Sequence, residues 1–307
     1  MVPSTNTRAP TAWALAATLG LALLWGGNSV TIKIGVGALP PLLFLTVRTA
    51  LGLLFLLVWA AITKVQLRPA RGELPHLLGL SLLFSLQALG LILGTSLTLA
   101  SHSTVLMNTF PFFTAIFAHF LIRGDRLTWL TTAGSLLALA GVALTAASAA
   151  GGSLTVGLQS RATLVGDLVV LASAALLGLR TVVSKRLMQR TPPERLLVWM
   201  MLLSVLTTGA LALASSSQPL HPFSVGEVAS SLYTGLVISG FGFVAFQRLL
   251  RGYRASRLTV VFLATPLAGV LLSWLLLGED LSLPLAAGAA LVASGIYLVN
   301  GQRSVSG

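Results

Sequence analysis

The sequence predicts an all-α integral membrane protein of ten transmembrane helices, arranged as two inverted five-helix repeats with both termini cytoplasmic. Three observations predict it. Charged residues make up only 8% of the chain, where a soluble domain carries about a quarter, and mean hydropathy is +0.92. Ten apolar segments reach the roughly 20 residues a helix needs to cross a bilayer core of about 30 Å. The chain also repeats itself: Leu24, Gly26, Val30, Lys33, Pro40, Pro41 and Leu51 recur 152 positions later as Leu176, Gly178, Val182, Lys185, Pro192, Pro193 and Leu203. Five apolar segments separate the copies, an odd number, so the second copy enters the membrane from the opposite side.

Residues 12–35 follow Arg8 in the manner of a signal peptide, but the apolar run continues through Trp25 without a small-residue cleavage site. It reads as a retained first helix. Pro40-Pro41 opens the span 41–63, and Pro69 to Pro75 separates it from 75–98. The spans 102–122 and 128–149 part at Gly124-Asp125, and Gly151-Gly152 closes the first repeat. Pro192-Pro193 divides 164–186 from 195–215, and Pro219 to Pro222 divides the latter from 227–247. Gly252 and Gly278 set off 258–277 and 283–301. Glycine frees the backbone while proline fixes φ and removes a donor, so both punctuate helices. The repeats divide the chain into 1–151 and 152–307. Their second halves correspond too: Ala133-Gly134 and Gly141-Val142 match Ala287-Gly288 and Gly295-Ile296 at an offset of 154, and Pro111 matches Pro266 at 155. Inverted repeats are a recurring architecture of secondary transporters.

Positive charge sets the orientation, because Lys and Arg are retained in cytoplasmic loops. With the N-terminus inside, the cytoplasmic set is Arg8; Lys64, Arg68 and Arg71; Arg123 and Arg126; Lys185, Arg186, Arg190 and Arg195; Arg248, Arg251, Arg254 and Arg257; and Arg303, which is 15 of 19. Only Arg161 falls in an outer loop, and Lys33, Arg48 and Arg180 fall within helices. The pI of 11.7 therefore needs no polyanionic partner, since nucleic-acid binding requires the basic residues on one solvated face.

The polar residues inside the spans are the candidates for function. On the fourth segment Thr104, Asn108, Pro111, Ala115 and His119 fall at steps of three and four, on one helical face ill suited to lipid. Pro111 frees a carbonyl near mid-membrane, which is tolerated where protein or a water-filled cavity satisfies it; a plain kink with Asn108 bonded to a neighbour is the alternative. Trp25 and Asn28 are three apart beside Gly26-Gly27, on the first segment, where glycines also serve simple helix packing. Gln87 stands alone on the third, where one interhelical hydrogen bond would account for it. Arg180 takes the place of Asn28 in the second copy. It is suited to a substrate carboxylate or, alternatively, to snorkelling toward the cytoplasm. Tyr233 and Phe241 share a face of the eighth segment at a spacing of eight and could stack against an apolar ligand. No carboxylate falls at mid-membrane, and His119 is the one further titratable group at useful depth, so any transport is expected to be uncoupled or weakly proton-linked.

Trp25-Gly26-Gly27-Asn28 followed by Lys33, the Arg48 helix after Pro41, and Pro111 ahead of Arg123-Gly124-Asp125-Arg126 resemble the EamA branch of the drug/metabolite transporter superfamily, as does the Pro266 helix ending at Gly278-Glu279-Asp280. The likeness covers essentially the whole chain, and within the superfamily it looks most like YddG-type exporters of aromatic amino acids. The resemblance implies a bundle with a central cavity lined by helices 1, 3, 4, 6, 8 and 9, in the inner (plasma) membrane. It implies export of amino acids, aromatic and other apolar ones favoured, or of similar small metabolites, by alternating access. Substrate-binding candidates are then Trp25, Asn28, Gln87, Asn108, His119, Arg180, Tyr233 and Phe241, with Pro111 and Pro266 as gating positions.

An organophosphate or nucleotide-sugar carrier of the same superfamily would need several cavity cations, and Arg180 alone qualifies well. A membrane enzyme is the remoter reading: the chain has no cysteine, and His76, His102, His119 and His221 are scattered with the acids peripheral, so neither a nucleophile with its base nor a metal cluster is expected. No cofactor, no metal, no nucleic acid and no obligate protein partner is expected; the partners are a small-molecule substrate and the lipid bilayer. A reporter fused after Gly307 is expected to be active only on the cytoplasmic side, and activity outside the cell would reject this topology.

Overall fold

A computed structural model describes residues 11–37, 39–121, 129–149, 158–188, 191–215, 224–252 and 264–301. The expected breaks at Gly124-Asp125, Gly151-Gly152 and Pro219 to Pro222, and both termini, lie outside the described residues. The described elements are all helical: α1 (Ala12–Gly26), α2 (Asn28–Gly35), α3 (Pro41–Ile62), α4 (Leu74–Leu97), α5 (Ala100–Met107), α6 (Phe110–Leu121), α7 (Trp129–Ala149), α8 (Leu158–Leu187), α9 (Pro193–Ser215), α10 (Val225–Leu232), a π-helical segment (Tyr233–Gly242), α11 (Phe243–Gly252), α12 (Ala264–Leu277) and α13 (Leu283–Gly301). Seven runs are long and apolar enough to cross a membrane: Ala12–Gly35, Pro41–Ile62, Leu74–Leu97, Ala100–Leu121, Ala162–Leu187, Pro193–Ala214 and Val225–Phe246. Three shorter apolar helices, Leu136–Thr145, Ala264–Leu277 and Leu283–Gly295, fall in the remaining expected spans.

The helix ends follow local chemistry. The Thr11 hydroxyl accepts from Ala14 N at 3.2 Å and caps α1. Pro41 opens α3 at the first helical position, where its missing N–H costs nothing. Ser224 and Glu227 form a reciprocal capping box at the start of α10. Gly278, at φ 67°, ends α12 in the left-handed region and donates to Trp274 O at 3.1 Å.

Three expected helices are not continuous. The first breaks at Gly27, between α1 and α2, and the fourth at Asn108–Thr109, between α5 and α6. The eighth winds through ten residues of π-helix. Pro111 is thus not the kink of a continuous helix. It is the second residue of α6, beyond the break, where proline sets the helix start without forfeiting a hydrogen bond. Pro266 is likewise the third residue of α12.

Lipid offers helices no hydrophobic reason to associate, so small residues that admit close backbone approach decide the packing. The main pairings are α7 with α13, α4 with α8, α3 with α9 and with the π segment, α6 with α8, and α12 with both α1 and α5. Glycines stand at several of these crossings. A Cβ on Gly141 would lie 2.7 Å from Gly288 O, and one on Gly295 would lie 2.5 Å from Gly134 O. Gly94 and Gly166 bring α4 and α8 together in the same way. Ile32, Phe44, Leu56, Leu80, Ile92 and Met201, drawn from α2, α3, α4 and α9, belong to the largest apolar cluster.

Because two of the three atoms nearest Gly141, Gly288 O and Val292 N, are backbone, they cannot turn aside for a methyl group. Gly141→Ala is therefore expected to lose about 1–3 kcal/mol of stability, read as a lower melting temperature in detergent. Gly79→Ala, whose added methyl meets nothing within 4 Å, should melt as the wild type does. Equal melting of the two variants would reject the packing described.

Candidate functional site

The interrupted helices place backbone ends and polar side chains inside the bundle. At the first break Gly27 N donates to Leu23 O at 3.3 Å and Leu24 O at 3.2 Å, and the Tyr233 hydroxyl from the π segment donates to Leu24 O at 2.8 Å. Tyr233 thus adds a second donor to a carbonyl at the interruption. Gly26 lets α1 lie against α12, since a Cβ there would meet Ala268 Cβ at 2.8 Å and Thr265 O at 3.0 Å. Trp25 packs edge-on to Phe243 and Phe246, each with ring centroids 5.9 Å away.

Asn28 opens α2 and is buried, and its Oδ1 has no hydrogen-bond partner among the described residues. The Thr265 hydroxyl on α12 is buried in the same condition. At the second break Asn108 turns its amide back on its own helix, donating to Thr104 O at 2.8 Å, and Thr104 itself presses on Gly269 of α12.

On α8, Arg180 is 9% exposed, its guanidinium carbon 5.0 Å from the ring centre of Phe84, with Nη1 lacking a partner. A buried cation over an aromatic face is partly compensated, not neutralised. Gln87 has its needs met within the bundle: its Nε2 donates to Ser173 Oγ at 3.3 Å, and Ser173 Oγ donates to Gln87 O at 2.7 Å. That is the interhelical bond the sequence left open. Arg48 is also buried, and its guanidinium donates to Ser239 Oγ at 3.3 Å beside the π segment.

His119 and Phe241 are not brought to these groups. His119 is exposed near the end of α6, next to Phe120, because the break at Asn108–Thr109 ends the stripe that begins at Thr104. Phe241 is 47% exposed. Tyr233, by contrast, is partly buried and turns its hydroxyl to Leu24 O.

A second polar cluster closes the Lys33 end of the bundle. Lys33 Nζ donates to Thr95 O at 3.3 Å and Ser96 O at 3.1 Å and also to Thr98 O, the carbonyls that end α4. The Thr98 hydroxyl donates to Asp167 Oδ1 on α8, and His102 Nδ1 on α5 lies 3.0 Å from Asp167 Oδ2. Glu279 accepts from Ala100 N at 2.7 Å and Ser101 N at 2.9 Å and so caps α5. Sequence reasoning missed the His102–Asp167 pair, because 65 residues separate its members. The available signal was Asp167 itself, an acid inside an expected span.

The opposite end is tied by Glu73, which accepts from Arg195 Nη1 at 3.1 Å and from the Thr191 hydroxyl, while Trp199 Nε1 donates to Leu67 O at 2.8 Å.

A bundle of apolar membrane-length helices with interrupted elements and unpartnered polar atoms inside defines a multi-pass membrane protein with a polar interior. The chain belongs to the EamA-like transporter family, whose sequence profile matches residues 12–147 and again 164–301. It is 25% identical over 281 residues to the uncharacterized transporter YoaV of Bacillus subtilis, covering 91% of this chain and 94% of that one. It is 28% identical over 289 residues to a probable amino-acid metabolite efflux pump of Salmonella typhimurium, covering 90% and 91% of the two chains. A solved crystal structure shares the fold at a TM-score of 0.67 and 20% identity, over 94% of this chain and 99% of the other.

Hydrogen bonding from Thr191 holds the Glu73 carboxyl below its ordinary value of 4.5, against the opposing effect of burial, with further help from Ala70 N–H and Arg195. A carboxyl depressed in the folded state stabilises the fold above its unfolded pKa and loses that contribution as pH falls through the folded value. Glu73→Gln should therefore melt below the wild type at pH 6, with the gap shrinking as pH drops under 4.5. A gap that is constant from pH 3 to 6 would reject the assignment.

Proposed function

We propose that this transporter exports amino acids, aromatic and other apolar ones favoured, or similar small metabolites, by alternating access around the centre of the bundle. The observation that carries the reading is that three of the six buried side-chain polar atoms without a partner among the described residues are Arg180 Nη1, Asn28 Oδ1 and Thr265 Oγ1, the others being Trp59 Nε1, Ser101 Oγ and Ser204 Oγ. Unsatisfied buried groups are costly and call for a ligand or water. One cationic donor and two neutral acceptors match the carboxylate and ammonium of a zwitterion. Arg180 takes the carboxylate, since guanidinium and carboxylate pair bidentately, while Asn28 and Thr265 accept from the ammonium. Trp25 and Tyr233 supply aromatic surface for the side chain, Asn108 a further polar contact, and Gln87 holds α4 to α8 behind Arg180. The name of the Salmonella relative, an amino-acid metabolite efflux pump, supports the same substrate class.

The two halves, 1–151 and 152–307, act as inverted five-helix repeats of a ten-helix bundle with both termini cytoplasmic. Three features support this. The family profile matches twice. Asn28 and Arg180 hold the same place in the two copies. The Gly141 contact with Gly288 is exchanged for the Gly295 contact with Gly134 when each residue is replaced by its repeat mate. Pro111 and Pro266 begin α6 and α12 as stiff levers, which suits them to gating. Uncoupled export rests on a membrane interior without carboxylates, a premise that the burial of Asp167 weakens.

The test is counterflow of labelled amino acids in proteoliposomes. Phenylalanine, tryptophan and leucine should exchange and compete with one another. A charge-assisted hydrogen bond is worth about 1.5–3 kcal/mol, so Arg180→Gln should lower exchange at subsaturating substrate by roughly 10- to 150-fold. No exchange above empty vesicles, or wild-type exchange in Arg180→Gln, would defeat the assignment.

A further inference from the structure

We propose that His102 and Asp167 form a proton-binding site, and that binding a proton there closes the Lys33 end of the bundle. His102 is 1% exposed and Asp167 5% exposed, and Nδ1 stands 3.0 Å from Oδ2. Neither group is used in the substrate reading above. The pair joins α5 to α8, and Thr98 joins both to α4, so one contact spans three helices.

The charges around it are few. From α2 comes Lys33, engaged with the carbonyls that end α4. After α12 comes Glu279, on the amides that open α5, with Asp280 exposed beside it. From α4 come only Thr95 and Thr98, and α2 adds Ser29 against Ser103. The described α7 holds no titratable residue, α13 offers only exposed Tyr297, and His119 lies at the far end of α6. Lys33 and Glu279 carry opposite charges, which leaves the Asp167 carboxylate as an unbalanced negative charge while His102 is neutral. A buried carboxylate without a compensating cation among the described residues is expensive. One proton on His102 converts the site into an imidazolium–carboxylate pair and brings the cluster to neutrality.

The sign of the response follows from linkage. The closed end holds imidazolium and carboxylate in contact away from water, while an open end hydrates both and weakens their attraction. The closed form therefore binds the proton more tightly, and by reciprocity proton binding favours closure. In the proposed topology the Lys33 end faces outward. A proton taken from the outer phase would close that end, and its release to the cytoplasm from the inward-open form would make export a proton antiport. That last step rests on the exporter reading; the closing does not.

The chain has no cysteine, so an introduced one reports alone. Ser103, 0% exposed within the cluster, is the probe position, and Val225, 88% exposed, is the control for the pH dependence of thiol chemistry. The measurement is the maleimide labelling rate of Ser103→Cys relative to Val225→Cys in detergent-purified protein. The ratio should fall by at least about fivefold from pH 8 to pH 5.5, the lower end of ordinary couplings. It should become independent of pH when Asp167→Asn or His102→Gln is added to the Ser103→Cys protein. A flat ratio in the otherwise wild-type background overturns the proposal even if neither double variant folds, and so does a pH response that survives in both. No substrate enters the assay, so a failed amino-acid panel and a failed pH response are separate results.

Discussion

The turn between α4 and α5 depends on a single ammonium. In a membrane interior every backbone N–H and C=O must find a partner within the protein, because no water is at hand. The end of α4 leaves the carbonyls of Thr95, Ser96 and Thr98 without helical partners, and Lys33 donates to all three. Glu279 performs the converse service for the first amides of α5. A two-residue turn, Thr98–Leu99, can therefore exist beside lipid only because residues from the first helix and from the loop after α12 reach it. The interior breaks obey the same constraint by other means. Tyr233 covers Leu24 O, and Asn108 folds its amide onto Thr104 O. Each interruption thus recruits a side chain, and of the four recruited, Lys33, Glu279 and Tyr233 come from elsewhere in the chain while Asn108 belongs to the break itself.

Once those ends are satisfied, the helices are free to approach through small residues. Gly26 on α12, Gly94 on α8 and Gly141 on α13 place backbone against backbone. Contacts of this kind are strong where geometry is matched and vanish quickly when it is not. They make each helix pair a rigid unit and concentrate change where side chains, not backbones, form the link. The Glu73–Arg195 tie and the Asp167–His102 tie are such links, one at either end.

Much of this was legible in the sequence. Apolar length marked the helical runs, proline and glycine marked most of their ends, and the recurrence of Gly134 and Gly141 as Gly288 and Gly295 picked out four glycines that meet across one interface. The likeness at Trp25-Gly26-Gly27-Asn28 pointed to the family that the profile matches. The breaks were not legible, and the reason is physical. Hydropathy measures whether a segment prefers lipid, and a segment split at Gly27 or Asn108 is as apolar as an unbroken one. A periodicity argument then carries one helical face across the split, which is how His119 was grouped with Thr104. Arg180 and Asn28 were found because a buried polar residue is conspicuous in an apolar run. Thr265 was passed over because a threonine can satisfy itself on its own helix.

Satisfaction also differs between the charged groups at the ends of the bundle and the three groups of the proposed site. At the ends the charged groups are met: Lys33 by three carbonyls, Asp167 by Thr98 and His102, Glu73 by Arg195 and Thr191. In the proposed site Arg180, Asn28 and Thr265 each keep an atom in reserve. A rigid scaffold would gain by pairing those atoms within the protein, because each unmet group costs on the order of 1–3 kcal/mol. A transporter gains by leaving them unmet, since a ligand that completes them recovers that energy only while it is bound. The energy so recovered is what biases one arrangement of the helices over another. Unmet atoms in the proposed site and breakable ties at both ends are complementary requirements of the transport cycle proposed for this chain.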